Sequence, residues 1–483
     1  MIIGLGLHAR RVYTPYLKKL SDNNTNVNLK LGVDLKSQKD NIEEYLRSNN
    51  FPLEMVYFNR FDYRKGMPKD EKFRLNELVK KNNIDGVLIT TEPLVHKEYA
   101  IWALSQGLHI LMDKPITTRM NVFDSLIEAD GIYNDYCGLL NLYKKLQNTK
   151  KTIFSINVQR RYEIGHQKVF ELIREVSEKF NAPITSIQAI HSDGVWIFPN
   201  EIVDQLYHPY SQGYGKNSHS GYHIFDIIWQ YYLSGKIEDK FPNQAEVMTS
   251  YITPIGLLKQ FCQKDYYKYF GNDYKKVHTR TDDELFKIYK RFGEIDAFSI
   301  LRLLKDGDNI CNISINLLHN SFSRRAWLYP SKDLYKGNGR VKHQSYIIQQ
   351  GPFQCIQVHN YQSDDKQDQS DIEDYQIGGN NHFDIYVFRN AAMFGNNEKP
   401  LTIYNLKSLD TKNTLDDAKL FHEKTKEAVV TEFIDFIKGK IKDTSILKSN
   451  IDTHEIPVKI MSSICKSNVM QIRGKSPIVK FDI

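Results

Sequence analysis

Ile2-Ile3-Gly4-Leu5-Gly6-Leu7-His8-Ala9-Arg10 opens the chain with an apolar pair, a glycine turn and the start of a helical pattern. The turn matches G-x-G-x-x-G/A between a strand and a helix. The first glycine of such a turn permits its tightness and the second lets the backbone approach a pyrophosphate. The small third residue, here Ala9, lets helix and strand pack closely. Phosphates would meet free N–H groups at the positive end of the helix, with His8 in the turn and Arg10 adding a charge. Glycine pairs at strand ends are common, so the reading needs an acidic partner roughly 20 or more positions on, to receive the ribose 2′-hydroxyl. Asp34 closes Leu29-Lys30-Leu31-Gly32-Val33 and is placed for that role. A carboxylate there repels a 2′-phosphate, which favours NAD; Lys36 and Lys39 leave NADP possible. The plain alternative is that Asp34 caps a following turn.

Outward from the turn, strands alternate with helices. Strands are expected at Asn28–Asp34, Met55–Phe58, Gly86–Thr90 and His109–Met112, with helices at Arg10–Leu20 and His96–Gln106. This alternation predicts a doubly wound parallel sheet over 1–150, with a short first strand because the turn follows Met1 so soon. Beyond 150, strands at Thr152–Val158, Ile184–His191, Ala245–Tyr251, Ala297–Leu304 and Ile310–Leu317 predict an α+β domain over 151–483 with a large mixed, mostly antiparallel sheet. Helices are expected at Gln167–Phe180, Ser220–Leu233, Asp416–Lys438 and Ile456–Val469, the last two returning towards the first domain. Gln362–Asn381 reads as a solvated loop. Lys332–His343 and Gln350–Gln354 read as a substrate lid or an oligomer contact.

A more specific pattern lies at Gly86–His96, which runs Gly-Val-Leu-Ile-Thr-Thr-Glu-Pro-Leu-Val-His, and at Asp113-Lys114-Pro115. With Gln159-Arg160-Arg161-Tyr162 and the stretch from Gly213 to Asp226, it resembles the glucose–fructose oxidoreductase/inositol dehydrogenase (Gfo/Idh/MocA) family. Glu92-Pro93 stands where that family has Pro-Asn, and Asp113 replaces its glutamate. His219 stands where aspartate is usual, whereas Gly221, His223 and Asp226 match. The likeness is good over 1–235 and loose beyond.

The resemblance implies a nicotinamide-dependent oxidoreductase acting on a sugar, polyol or sugar derivative. It implies cofactor contacts at Gly4, Gly6, His8, Ala9, Arg10, Asp34, Thr91, Glu92, His96, Asp113, Lys114 and Arg161. His223 would act as general base, and Lys114 would stabilise the developing alkoxide at the same oxygen. His219, His223 and Asp226 fall at i, i+4 and i+7 and so share a helix face. His219 in place of aspartate removes a negative charge beside the base, which alters the proton relay or suits an anionic substrate. Asp193, Trp196, His219 and Tyr222 are the candidate substrate contacts, although Ser192–Trp196 also reads as an ordinary loop. The two histidines have metal-compatible spacing, but no flanking Glu or Cys completes a set, so no metal is expected. Two rival activities on the same fold are an NAD-dependent glycosidase with no net redox change and a nucleotide-sensing regulator without catalysis.

Composition narrows the class further. The 483 residues are 41% hydrophobic, ample for a sizeable core, and the net charge of +7 comes from 65 basic and 58 acidic residues with no basic cluster. A nucleic-acid partner is therefore not expected. No apolar run approaches the roughly 18 residues of a membrane span, and the N-terminus lacks a signal-peptide pattern. Cys137, Cys262, Cys311, Cys355 and Cys465 are scattered and form no C-x-x-C pair, which fits a reducing cytoplasm. The wide second sheet is expected to leave one face without helices, and the resemblance makes that face a homodimer or homotetramer interface.

Overall fold

A two-residue strand is the centre of the first sheet. In the computed structural model, which describes residues 1–23, 25–329, 339–363, 381–395, 397–410 and 421–483, β1 (Ile2–Ile3) lies between β2 (Leu31–Leu35) and β4 (Gly86–Ile89). Ile2 is in register with Gly32 on one side and Leu88 on the other, parallel in both cases. β3 (Glu54–Phe58), β5 (His109–Asp113) and β6 (Phe154–Asn157) complete a six-stranded parallel sheet in the order β3-β2-β1-β4-β5-β6. Ile2, Leu31, Val33, Val87, Ile89, Ile110 and Met112 are wholly buried. Such continuous apolar strands are what a sheet covered on both faces requires.

Two sequence readings change here. The expected helix Arg10–Leu20 is two helices, Leu7–Arg11 and Tyr13–Asp22, broken at Val12 with φ −116° and ψ −61°. The strand read at Thr152–Val158 does not open the second sheet. Its core pairs in parallel with β5, Ile110 opposite Phe154, and closes the first.

The second sheet has nine strands among the described residues. These are β7 (Ser186–Ser192), β8 (Gln244–Ile252), β9 (Asp296–Lys305), β10 (Asp308–Leu318), β11 (Val341–Gln350), β12 (Gln354–Ser363), β13 (Asn381–Arg389), β14 (Leu401–Tyr404) and β15 (Val479–Asp482). Their order is β14-β13-β12-β11-β7-β10-β9-β8-β15. Only the β7–β10 pair is parallel. Gln350–Gln354 forms the turn of the β11–β12 hairpin, with Gly351 at φ +52°. Of Lys332–His343, residues 332–338 lie outside the described residues and Val341–His343 begin β11. Most of the loop read at Gln362–Asn381, and residues 416–420 of the expected late helix, also lie outside them; that helix is described over Phe421–Ile437.

β11 and β12 are tied to the helix Ile164–Phe180 by buried amides. Gln350 Nε2 donates to Ile173 O at 3.0 Å, Ser177 Oγ at 3.0 Å and Ala182 O at 3.2 Å. Gln354 Nε2 donates to Leu172 O at 3.0 Å and Gln350 Oε1 at 2.9 Å. Contacts divide the chain into two compact units. Unit 1 is 1–118, 133–163 and 418–455; unit 2 is 119–132, 164–417 and 456–483. Among the described residues, no helix is long and apolar enough to cross a membrane.

Candidate active site

In unit 1, the glycine turn is fixed by its neighbours on both flanking strands. Gly4 has φ +93°, and a Cβ there would lie 2.9 Å from both the carbonyl carbon and oxygen of Thr90. Thr90 Oγ1 in turn donates to Gly4 O, and Gly4 N donates to Val33 O at 2.8 Å. Leu5 N donates to Asp34 Oδ2 at 2.6 Å while Leu35 N donates to Oδ1 at 2.6 Å. Asp34 therefore joins the turn to β2. Burial raises its carboxyl above the ordinary value, against those two amides and Arg10. Gly6, at the head of the helix Leu7–Arg11, is different, because a Cβ there would meet nothing within 4 Å. Space is left in front of the N–H groups at that helix end, as a pyrophosphate needs, so these residues fit a dinucleotide.

Other expected cofactor residues have protein partners. Arg10 donates from Nε to Leu5 O at 2.7 Å and from Nη1 to Asn41 Oδ1 at 2.9 Å, stacked 5.1 Å over the Tyr45 ring. His8 Nε2 lies 3.2 Å from Lys426 Nζ, and Ala9 is buried in the core. Asp113 accepts from Tyr13 OH and, at 3.0 Å, from Asn157 Nδ2. Burial works to raise its carboxyl, but His8, the two hydrogen bonds and Lys426 hold it below the ordinary value. Lys114 follows directly at the end of β5, before a cis Pro115. The His96 ring is wholly buried, with Nδ1 2.9 Å from Pro115 O and Nε2 3.0 Å from Thr91 O. Burial lowers its pKa, so it ties together the segments after β4 and β5. Glu92 pairs with Arg60 at 2.5 Å. Arg161 is buried and donates to Lys448 O at 2.6 Å and Thr453 Oγ1 at 2.7 Å, holding that later segment.

In unit 2, the histidines sit where a π-helical turn, Asn217–Gly221, runs into the helix Tyr222–Ser234. The turn is reached through Gly215, where a Cβ would fall 1.9 Å from Glu294 O; only glycine allows that crossing. Lys216 N donates to Glu294 O at 3.0 Å, and Asn217 N to Glu294 Oε1 at 2.7 Å. His219, His223, Tyr222 and Asp226 are all buried. The His219 ring is edge-on to His208, Tyr210 and Tyr214, at centroid distances of 4.7, 5.2 and 5.5 Å.

Asp193 is placed in an ion cluster. Its carboxylate accepts from Lys216 Nζ and Arg340 Nη2 and, at 3.0 Å, from Ser220 Oγ. Burial opposes its charge, yet Arg340 and Lys216 hold its pKa well below the ordinary value. Lys216 is wholly buried, and removing one partner of such a pair typically costs about 3–5 kcal/mol. Sequence reasoning missed Lys216 and Arg340. A lysine between Gly215 and the histidine helix was the available signal, since a lysine at a close backbone crossing must find a counter-charge. Among the described residues, no group of three His, Cys, Asp or Glu side chains could hold a metal ion.

Comparisons with known proteins place this geometry. Residues 1–130 match the family model described as "Oxidoreductase family, NAD-binding Rossmann fold". No curated protein matches the chain. The fold is similar to that of an oxidoreductase from Agrobacterium radiobacter, solved with NAD+, L-tartaric acid and magnesium; identity is 10%, TM-score 0.56, and the match covers 100% of this chain and 97% of that one. It is also similar to an aldose–aldose oxidoreductase from Caulobacter crescentus complexed with glycerol, at 12% identity and TM-score 0.55 over 99% and 98% of the two chains. An NAD binding oxidoreductase from Klebsiella pneumoniae gives 12% and 0.55 over 100% and 98%. At these identities the likeness is one of fold.

Two predictions follow from this geometry. Gly4→Ala should lower the thermal midpoint, because it adds a positive-φ strain of about 1–3 kcal/mol to the clash with Thr90. Gly6→Ala should leave the midpoint intact but weaken NAD binding in calorimetry. Equal loss of stability in both would contradict the cradle. The second concerns Glu294, whose carboxyl burial raises from 4.5 to about 7. Between those values the folded state holds a proton that the unfolded chain has released, so stability falls as pH rises through that window. Glu294→Gln should flatten this decline and raise the midpoint above about pH 7; an unchanged slope would show that the group does not titrate there.

Over residues 1–130, the chain matches the model of the NAD-binding Rossmann domain of the Gfo/Idh/MocA oxidoreductases.

Proposed function

We propose that the chain is an NAD-dependent dehydrogenase that oxidises a CH–OH group of a sugar, polyol or sugar derivative. The observation that carries the reading is the Gly4–Gly6 turn, where Gly6 faces open space at a helix end and Asp34 is locked to the same turn. The aldose–aldose oxidoreductase among the structures of like fold supports the substrate class. A bound nicotinamide would supply the hydride acceptor. Gly6 and the N–H groups after it would hold the pyrophosphate, and Asp34 would receive the adenosine ribose hydroxyls with the lone pairs its amide bonds leave. Thr91, Glu92 and His96 shape the edge of the β4 loop, while Asp113 and Arg161 hold the surrounding segments. By the resemblance, His223 is assigned removal of the hydroxyl proton and Lys114 the stabilisation of developing negative charge. His219, among three aromatic rings, and Tyr222 are assigned to substrate positioning.

The test is NADH formation by the full chain across neutral sugars, inositols and sugar derivatives, with Lys114→Ala and His223→Ala in parallel. Both substitutions should reduce kcat/KM by about 10²–10⁴-fold, and His223→Ala should leave NAD affinity near that of the wild type. Cleavage of aryl glycosides with no net NADH would replace dehydrogenation by redox-neutral hydrolysis.

We further propose a cytoplasmic homodimer or homotetramer. Ile190, Met248, Phe298, Phe388 and Ile403 are 38–47% exposed, and the strand register puts them on one face of the nine-stranded sheet. Light scattering should report an oligomer that Phe298→Lys with Met248→Lys dissociates; a monomeric wild type would refute this.

A further inference from the structure

β8 and β9 are antiparallel neighbours in continuous register, from Gln244 opposite Leu304 to Ile252 opposite Asp296. They are nevertheless joined by a helical segment, with helices at Pro254–Gln260, Gln263–Phe270 and Asp282–Ile288, rather than by a tight turn. This segment forms two aromatic and apolar clusters with the loop after β7. One gathers Ile202, Tyr210, Leu257, Leu258 and Tyr289; the other gathers Phe198, Tyr266, Tyr274 and Leu328 around Trp196. Arg325 clamps the loop, pairing with Glu201 at 2.7 and 2.8 Å, donating to Trp196 O at 2.9 Å and lying 4.1 Å over the Phe198 ring.

Beneath this cap is a cavity of about 390 Å³, within the range of small-molecule sites. One side is apolar, with Trp196, Phe261, Tyr266 and Leu257 prominent; the other presents Tyr210, Gln260, His319, Asn320, Ser321 and Ser323. Among the described residues, no Asp, Glu, Lys or Arg lines it. Tyr210 OH and His319 Nδ1 are hydrogen-bonded to each other. Burial, with Lys216 nearby, pushes the His319 ring down to about 3, which leaves it neutral. Tyr210 carries the cavity to the candidate site, since its ring stands edge-on to His219 at 5.2 Å.

We propose that this cavity is a specificity subsite for an uncharged pyranose ring, one ring away from His219. An aromatic wall suits the C–H face of a pyranose, and the amide, hydroxyl and imidazole groups suit its hydroxyl edge. A phosphate or carboxylate would find no counter-charge in the lining and would be buried at a cost. The proposal deepens the sugar-dehydrogenase reading by selecting neutral glycosides over sugar phosphates and uronates.

The test is calorimetry and saturation-transfer NMR on the full chain saturated with NAD. The probes are methyl β-D-glucopyranoside, cellobiose, glucose 6-phosphate and glucuronate. The neutral probes should bind and the charged pair should not. Leu257→Trp, which fills the cavity, should weaken neutral binding at least about tenfold. Asn320→Trp should do the same from the exposed rim, where the fold tolerates bulk, with NAD affinity unchanged in both. Absence of neutral binding, equal binding of glucose 6-phosphate, or undiminished binding in Asn320→Trp would each overturn the subsite. Binding without oxidation of any sugar would leave the subsite standing and remove the dehydrogenase reading. Oxidation at wild-type kcat/KM by Asn320→Trp would do the reverse.

Discussion

The Asp34 carboxylate is the tie on which the nucleotide end of this molecule depends. One oxygen accepts Leu5 N from the glycine turn and the other accepts Leu35 N from its own strand. A hydrogen bond to a charged group contributes roughly 1.5–3 kcal/mol, and here it sets the turn at a fixed height above β2. Gly4 then has no freedom, pressed against Thr90, whereas Gly6 faces space. The contrast separates a glycine held by the fold from one that borders open space.

Unit 2 solves a different problem, that of placing a charge where water is absent. Lys216 is wholly buried at the entrance to the π-helical turn, and Asp193 at the end of β7 neutralises it together with Arg340. A paired cluster of this kind specifies position more than it adds stability. Here it fixes the turn that carries His219 and His223, and Gly215 permits the backbone crossing beside it. The Asp193 carboxylate is engaged in this cluster, and Trp196, three residues on, lines a cavity.

Legibility in the sequence followed the physics of each element. The parallel strands were readable because burial on both faces leaves continuous apolar runs such as Val87–Ile89. The strands β11 and β12 were not, because their inward positions include Gln344, Gln350, Gln354, Asn360 and Gln362, all buried. Polar side chains facing inward erase the alternation that marks a half-buried strand. The helix Leu126–Gln147 escaped notice although Ala129, Ile132, Tyr136, Leu139 and Tyr143 are buried at helical spacing; Gly131 and Gly138 lower its apparent propensity. At the site, the glycine turn and Asp34 were legible as a local motif. Lys216, Arg340, Tyr210 and His319 were not, since their roles arise only when distant segments meet.

Hydride transfer from a carbinol carbon to NAD can be followed by isotope tracing. The full chain would be incubated with NAD and a panel of sugars and polyols carrying deuterium at the carbinol carbons, and the nicotinamide analysed by mass spectrometry. A dehydrogenase yields NADH bearing the substrate's deuterium. Bound NAD that stays undeuterated with every member of the panel would contradict that reading.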